Sequence, residues 1–349
     1  MSELVPHKQR INWAGTLRRY AARVVRLNFA DGAQPVQVRL ENGTEGRGSC
    51  LGCHDAPCML LHEQDGVLPE ALNEFPGDPA SDVCPTRAVV WNDKVTAVTV
   101  HRDLCIGCGL CVARCPYGAI SVDGEGKAIV ETRDPDRLTS GSDLKTVAST
   151  HDQPERLGQI GRPGAAVLAK LPDAVAALND AIASQLVRNL FLTCGVKCRV
   201  RRRGDTNVRM DGVIGTADGR VGVLEIELAS AALESPRALL EDVAVLHSRY
   251  GIRVDQIDPV SVVLSIPNVR SEYFQVIADI EKVLNVRCRT LTIGALVSVV
   301  WNLARINGFT HDLFFVVPGR TDLLRAMEGE ISSAIVDEQP YPGAYRPSK

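Results

Sequence analysis

In Cys105-Ile106-Gly107-Cys108-Gly109-Leu110-Cys111-Val112-Ala113-Arg114-Cys115-Pro116, four cysteines recur with two, two and three residues between them. Thiolates so spaced on a tight glycine-bearing loop can converge on an inorganic iron–sulfur core. Upstream lie Cys50-x2-Cys53-x4-Cys58 and a detached Cys84-Pro85. The eight cysteines divide into two complete sets of four. Zinc also accepts Cys-x2-Cys pairs in tetrahedral sites. Two Cys-Pro signatures at these offsets favour iron–sulfur.

The segment from Asp103 through Cys105, Cys108, Cys111 and Arg114-Cys115-Pro116-Tyr117-Gly118-Ala119-Ile120 resembles the bacterial two-cluster ferredoxin family. The resemblance covers roughly residues 45 to 125 and implies an α+β ferredoxin-type domain carrying two [4Fe-4S] clusters. By that family's cross-ligation, Cys84, Cys105, Cys108 and Cys111 would hold one cluster, and Cys50, Cys53, Cys58 and Cys115 the other. The first motif departs from the family in its four-residue gap before Cys58 and in the long insertion before Cys84. His54 reads as a loop residue, since the cysteines already complete that set.

A chain of 349 residues has room for two or three domains. Apolar content of 45% and a net charge of −3 describe a globular protein with no global electrostatic case for nucleic acid or membrane. The apolar run at 291–304 is interrupted by Thr292, Gly294, Ser298 and Asn302 and is too short to span a bilayer. Residues 1–8 lack the apolar core of a secretory signal. Of eleven cysteines most are placed as metal ligands, so a reducing compartment, the cytoplasm, is expected.

Read along its length, the chain divides at 1–44 (a segment packing on the cluster domain), 45–131 (cluster domain), 132–164 (linker), 165–335 (a second domain) and 336–349 (polar tail). Alternation at 36–40 predicts a strand. Hairpins are expected around Asn92-Asp93-Lys94 and Gly124-Glu125-Gly126. In the second domain a helix is expected over 168–192, broken at Pro172 and stopped at Cys194-Gly195. Strands follow at 198–203, 208–214 and 221–228, the last two joined by Asp218-Gly219. Pro236 opens a helix that Gly251 ends. A buried strand at 261–266, a helix at 272–284, a strand at 289–293, elements through 314–317 and a final helix complete the pattern.

The order α-β-β-β-α-β resembles the restriction-endonuclease-like, or PD-(D/E)xK, fold over roughly residues 165–293, which implies an α/β domain with a mixed central sheet. The hairpin sets Asp211 opposite Leu224 or Glu225, and the i, i+2 spacing puts Glu225 and Glu227 on one face. Carboxylates so gathered repel one another unless a cation lies between them. The resemblance therefore implies Mg2+ or Mn2+ on Asp211, Glu225 and Glu227, with the same three as catalytic residues. Glu227 stands where the family has lysine, and Met210 where it has proline. Gln185 and Asn189 are further candidates by position.

Lys197, Arg199, Arg201, Arg202, Arg203 and Arg209 lead into Asp211. Lys197, Arg199, Arg201 and Arg203 are candidate phosphate contacts. An edge strand guarded by charge explains the run equally well. Cys194, Cys198 and Cys288 read as buried thiols, one ligand short of a closed site even if His247 or His311 joined them. Two readings stay open. One is an iron–sulfur protein with a metal-dependent DNA endonuclease domain for restriction or genome defence, its clusters structural or redox-sensing. The other is a ferredoxin-type electron-transfer subunit of a larger oxidoreductase, working with a redox partner protein through a non-catalytic docking domain. A nucleic-acid binder without cleavage ranks below both.

Overall fold

Hydrogen-bond donors and acceptors of a free strand edge need cover, and here a segment from between two cysteine motifs supplies it. The computed structural model describes residues 37–39, 45–47, 57–61, 68–92, 97–115, 120–122, 128–130, 165–216, 218–228, 232–302, 304–306, 314, 316 and 339–347. The chain forms two units. Unit 1 comprises Met1–Leu61 and Asp82–Gly161; unit 2 comprises His62–Ser81 and Arg162–Lys349.

Unit 1 consists of small antiparallel pairs. Strand β1 (Gln37–Arg39) pairs with β2 (Glu45–Arg47). The expected hairpins form: β3 (Val89–Asn92) pairs with β4 (Ala97–Val100), and β5 (Ile120–Val122) with β6 (Ala128–Val130). Met59, Leu60, Val89, Val98, Val112 and Ile120 make a core that also takes in Cys58, Cys111 and Cys115. An antiparallel bridge between Leu60 and Asp82 closes a neck, reinforced by the Val83 amide donating to the Met59 carbonyl at 2.8 Å. Residues 62–81, expected within the cluster domain, belong to unit 2.

Unit 2 is built on a five-stranded mixed sheet in the order β11-β10-β9-β8-β7. Strands β7 (Lys197–Val200), β8 (Gly212–Gly215) and β9 (Val221–Glu227) form an antiparallel meander. Strands β10 (Ile257–Val263) and β11 (Arg289–Thr292) add in parallel, so each needs a crossover helix. Every residue of β10 is buried, as suits a central strand covered on both faces.

Each helix boundary has a local cause. The first helix expected here is split into α2 (Ala165–Ala169), α3 (Leu171–Ala176, with proline in its first turn) and α4 (Asp180–Thr193). Here α1 denotes Leu110–Arg114 of unit 1. Asn179 caps α4 by accepting from the Ile182 amide at 3.0 Å. Helix α5 (Ser235–Tyr250) carries a first-turn proline and ends at Gly251, φ 68°. Helix α6 (Glu272–Leu284) is capped by Ser271, and α7 (Ile293–Trp301) by Thr292. Helix α5 packs on β9, β10 and α6, and α4 packs on β7 and α7.

The segment 68–81 pairs with the outer edge of this sheet. Gly77 bridges Arg201, and Arg202 donates its amide to the Pro76 carbonyl at 2.9 Å. Leu72 and Phe75 are buried. The residues from 339 onward were expected to be a polar tail, yet Tyr341 and Tyr345 are buried. Their hydroxyls find partners: Tyr341 donates to the Leu264 carbonyl and Tyr345 bonds Ser298. The expected linker at 132–164, the segment 1–36 and residues 317–338 lie outside the described residues. Among the described residues no helix is long and apolar enough to cross a membrane.

Candidate iron–sulfur site and acidic cluster

Glycine lets the backbone turn tightly between the unit 1 cysteines. Gly107 and Gly109 adopt φ of 72° and 77°, where a side chain would be strained, and α1 starts immediately after Gly109. Cys84, Cys105, Cys108 and Cys111 consequently line one cavity, walled by Ala88, Val89, Ile106, Leu110 and Val112. Cys108 and Cys111 are buried, whereas Cys84 and Cys105 are half-buried. Cys84 also contacts the Thr86 hydroxyl at 3.4 Å.

Burial pushes the Cys108 thiol well up, and the neighbouring Cys84 and Cys105 add to it. Cys111 is raised the same way, by burial first and then by Cys108, Cys84, Cys105 and Cys115. Ionising several of these thiols together requires positive charge at their centre. Among the described residues no three His, Cys, Asp or Glu side chains stand close enough to share a single ion. Four cysteines around one cavity, in the Cys-x2-Cys-x2-Cys spacing with a distant Cys-Pro, suit a multi-iron core. Cys58 and Cys115 are buried in the same core, and Arg114 ties α1 to the Cys58 turn by donating to the Pro57 carbonyl at 2.9 Å. Cys50, Cys53 and His54 lie outside the described residues.

In unit 2 the register Gly212↔Leu224 puts Asp211 one step further on, level with Glu225. Asp211 is committed to the protein: Oδ1 accepts from Arg201 at 3.2 Å and Oδ2 from the Ile226 amide at 3.0 Å. Its carboxyl is nevertheless raised, because burial outweighs those two contacts. Glu225 and Glu227 are both half-buried on β9. Burial, then Asp211, Asp242 and Glu227, push Glu225 up to about 7. Asp211, Glu225 and Glu227 thus lie at neighbouring positions where β8 begins and β9 ends, and among the described residues no group of three His, Cys, Asp or Glu side chains is placed to hold a metal ion.

Asp242 escaped the sequence reading. It lies on α5 in a buried stripe with Leu239, Val243 and Leu246. Its side chain is 1% exposed, and neither oxygen has a hydrogen-bond partner. Burial pushes it up to about 7 against the pull of Arg209. An acid on the apolar face of an amphipathic helix was the available signal.

Two members of the basic run, Arg199 and Arg201, are engaged by the fold. Arg199 donates to the Asn73 carbonyl at 3.2 Å, and Arg201 to the Val208 carbonyl as well as to Asp211. Lys197 is half-buried on β7, and Arg203 is exposed on the following turn. Gln185 donates to Asp78, and Asn189 accepts from Arg188. Cys194, Cys198 and Cys288 are buried, and burial raises all three, Cys198 and Cys288 to about 12. His247 bonds the Ile252 carbonyl through Nδ1, and His311 lies outside the described residues.

Residues 98–121 match the 4Fe-4S binding domain family. Formate hydrogenlyase subunit 2 of Escherichia coli K12 is 32% identical over 92 residues, covering 22% of this chain and 44% of that protein. Hydrogenase-4 component A of the same strain gives the same values. An uncharacterized ferredoxin of Methanocaldococcus jannaschii is 33% identical over 76 residues, covering 22% and 45%. The chain thus spans under half the length of these relatives. No solved structure matches it. Unit 1 therefore contains a ferredoxin-type iron–sulfur segment, and unit 2 is a mixed-sheet α/β body.

Proposed function

We propose that this protein is an iron–sulfur electron carrier, a ferredoxin-type component that serves a redox partner within a larger oxidoreductase. Cys84, Cys105, Cys108 and Cys111 would hold one [4Fe-4S] cluster, and Cys50, Cys53, Cys58 and Cys115 a second. The observation that carries this reading is the convergence of the first four on one cavity. The names of two relatives, a formate hydrogenlyase subunit and a hydrogenase component, point the same way. When bound, a [4Fe-4S] cluster accepts and returns one electron at a time. The chain's own part is to bury Cys108 and Cys111 behind apolar walls, which limits water and disfavours the more highly charged oxidation level. Cys84 and Cys105 lie nearer solvent and form the edge where an electron would cross to a partner.

Unit 2 enters this reading as a non-catalytic docking body. Endonuclease chemistry, and DNA as its partner, gains no support from the family match or from the relatives.

The test is anaerobic purification followed by iron and sulfide analysis and EPR of the dithionite-reduced protein. Two cluster signals are expected, with one lost in Cys108→Ala and the other in Cys58→Ala. Stoichiometric zinc with no iron would overturn the reading.

A further inference from the structure

Cys84, Pro85, Thr86 and Arg87 form a tight turn, closed by the Arg87 amide donating to the Cys84 carbonyl at 3.0 Å. Proline pre-sets φ at the second position of such a turn, and Arg87 leaves it with φ of 55°. The turn brings the Thr86 side chain back over its own start, where the hydroxyl lies 3.4 Å from the Cys84 sulfur. Thr86 is half-buried and lines the same cavity as Cys84, Cys105, Cys108 and Cys111. Between a neutral thiol and a hydroxyl the proton can lie either way. A thiolate bound to iron has no proton to give and can only accept, so the hydroxyl becomes the donor.

We propose that Thr86 raises the reduction potential of the cluster held by Cys84, Cys105, Cys108 and Cys111, by donating a hydrogen bond to the Cys84 thiolate. This rests on the electron-carrier reading and adds to it a residue that governs the potential. Reduction brings one electron to the cluster from the redox partner, and no covalent bond forms or breaks. The added negative charge spreads over iron and the ligating sulfurs. A donor aimed at one of those sulfurs therefore stabilises the reduced level more than the oxidised one. Apolar neighbours Ala88 and Val89 line the same cavity and strengthen the bond by keeping its surroundings poor in water. Thr86 acts through Cys84 and is a positioning residue, since the four cysteines already complete the ligand set.

The experiment is an EPR-monitored redox titration of the anaerobically purified full chain, comparing the parent with Thr86→Val and Thr86→Ser. Valine keeps the shape of threonine and removes the donor. In Thr86→Val the signal that Cys108→Ala abolishes should appear only at lower potential. Reduced cluster at a fixed potential should fall about threefold to tenfold, the upper figure being about 59 mV for a one-electron couple. Thr86→Ser should stay near the parent, and the signal lost in Cys58→Ala should move in neither variant. Thr99→Val, which removes a hydroxyl bond to the Val90 carbonyl in the same unit, should leave both potentials unchanged. A parent without clusters would sink the electron-carrier reading itself. Clusters present throughout, with Thr86→Val at the parent's potential or Thr86→Ser shifted as far as Thr86→Val, would overturn only the role given to Thr86. A Thr86→Val chain that takes up just the other cluster would assign the hydroxyl to assembly and overturn that role too.

Discussion

The Asp78 amide donates to the Val200 carbonyl at 2.8 Å, so a residue from between two cysteine motifs lies along the outer strand of the unit 2 sheet. The Asp78 carboxylate holds this segment in place: Oδ2 accepts from Gln185 at 3.0 Å and Oδ1 from the Ala80 amide at 2.7 Å. Arg188 adds a bond to the Asp78 carbonyl at 3.2 Å.

Asp78→Ala should therefore destabilise unit 2 by about 1–3 kcal/mol, the range for losing charge-assisted hydrogen bonds. Urea unfolding should show a lower midpoint with an unchanged slope. Limited proteolysis should cut first between residues 62 and 81. An unaltered midpoint would mean that the main-chain pairing suffices.

Asp258 is 1% exposed and accepts from Arg220 twice, at 2.8 Å each, while Arg289 stands 2.9 Å away. Burial pulls the Arg289 pKa down and Asp258 opposes this. Truncation by Asp258→Ala leaves Arg289 buried without its counter-ion, at a cost of about 3–5 kcal/mol. Asp255→Ala, in the exposed pair with Arg253, should leave the denaturation midpoint unchanged.

Glu225 and Asp242 both titrate near 7 in the folded chain, above ordinary carboxylate values. The folded state thus keeps protons that the unfolded chain has released. Their stabilising contribution is full below about pH 4, declines as pH rises through about 7, and is flat beyond. In chelator-treated buffer, stability should fall between about pH 4 and about pH 7 in the parent. That slope should flatten in Asp242→Asn, which should melt higher than the parent on the alkaline side.

Tyr345 is fully buried, with its hydroxyl 2.6 Å from that of Ser298. Tyr345→Phe removes one buried hydrogen bond and should cost about 1 kcal/mol. Tyr345→Ala also opens a cavity and should cost about 3–5 kcal/mol. Thermal denaturation of the two variants separates the contributions.

Much of this architecture is written in short-range signals. Asp218-Gly219 marks the β8–β9 turn, Gly251 stops α5, and Ser271 opens α6; each acts through its own φ/ψ or side-chain oxygen. The glycines between Cys105 and Cys111 likewise announce the loop that gathers four thiols. Partnerships distant in sequence stayed hidden. Nothing local in residues 68–81 says that their amides and carbonyls will find β7, more than a hundred positions away. Tyr341 and Tyr345 sit among prolines and polar residues, which masks their burial. Asp242 was legible only once α5 had a buried face, and Arg199 and Arg201 looked free until their acceptors were in place.

Because the chain enters unit 2, returns through the Leu60–Asp82 neck and enters again, no single cut separates the halves cleanly. A fragment beginning at Arg162 would expose the unpaired margin of β7 and empty the sockets of Leu72 and Phe75, an invitation to aggregation. A fragment ending at Gly161 would carry those same side chains with nowhere to put them. A split of the gene within 132–164 is therefore expected to separate Leu72 and Phe75 from the sheet edge they cover.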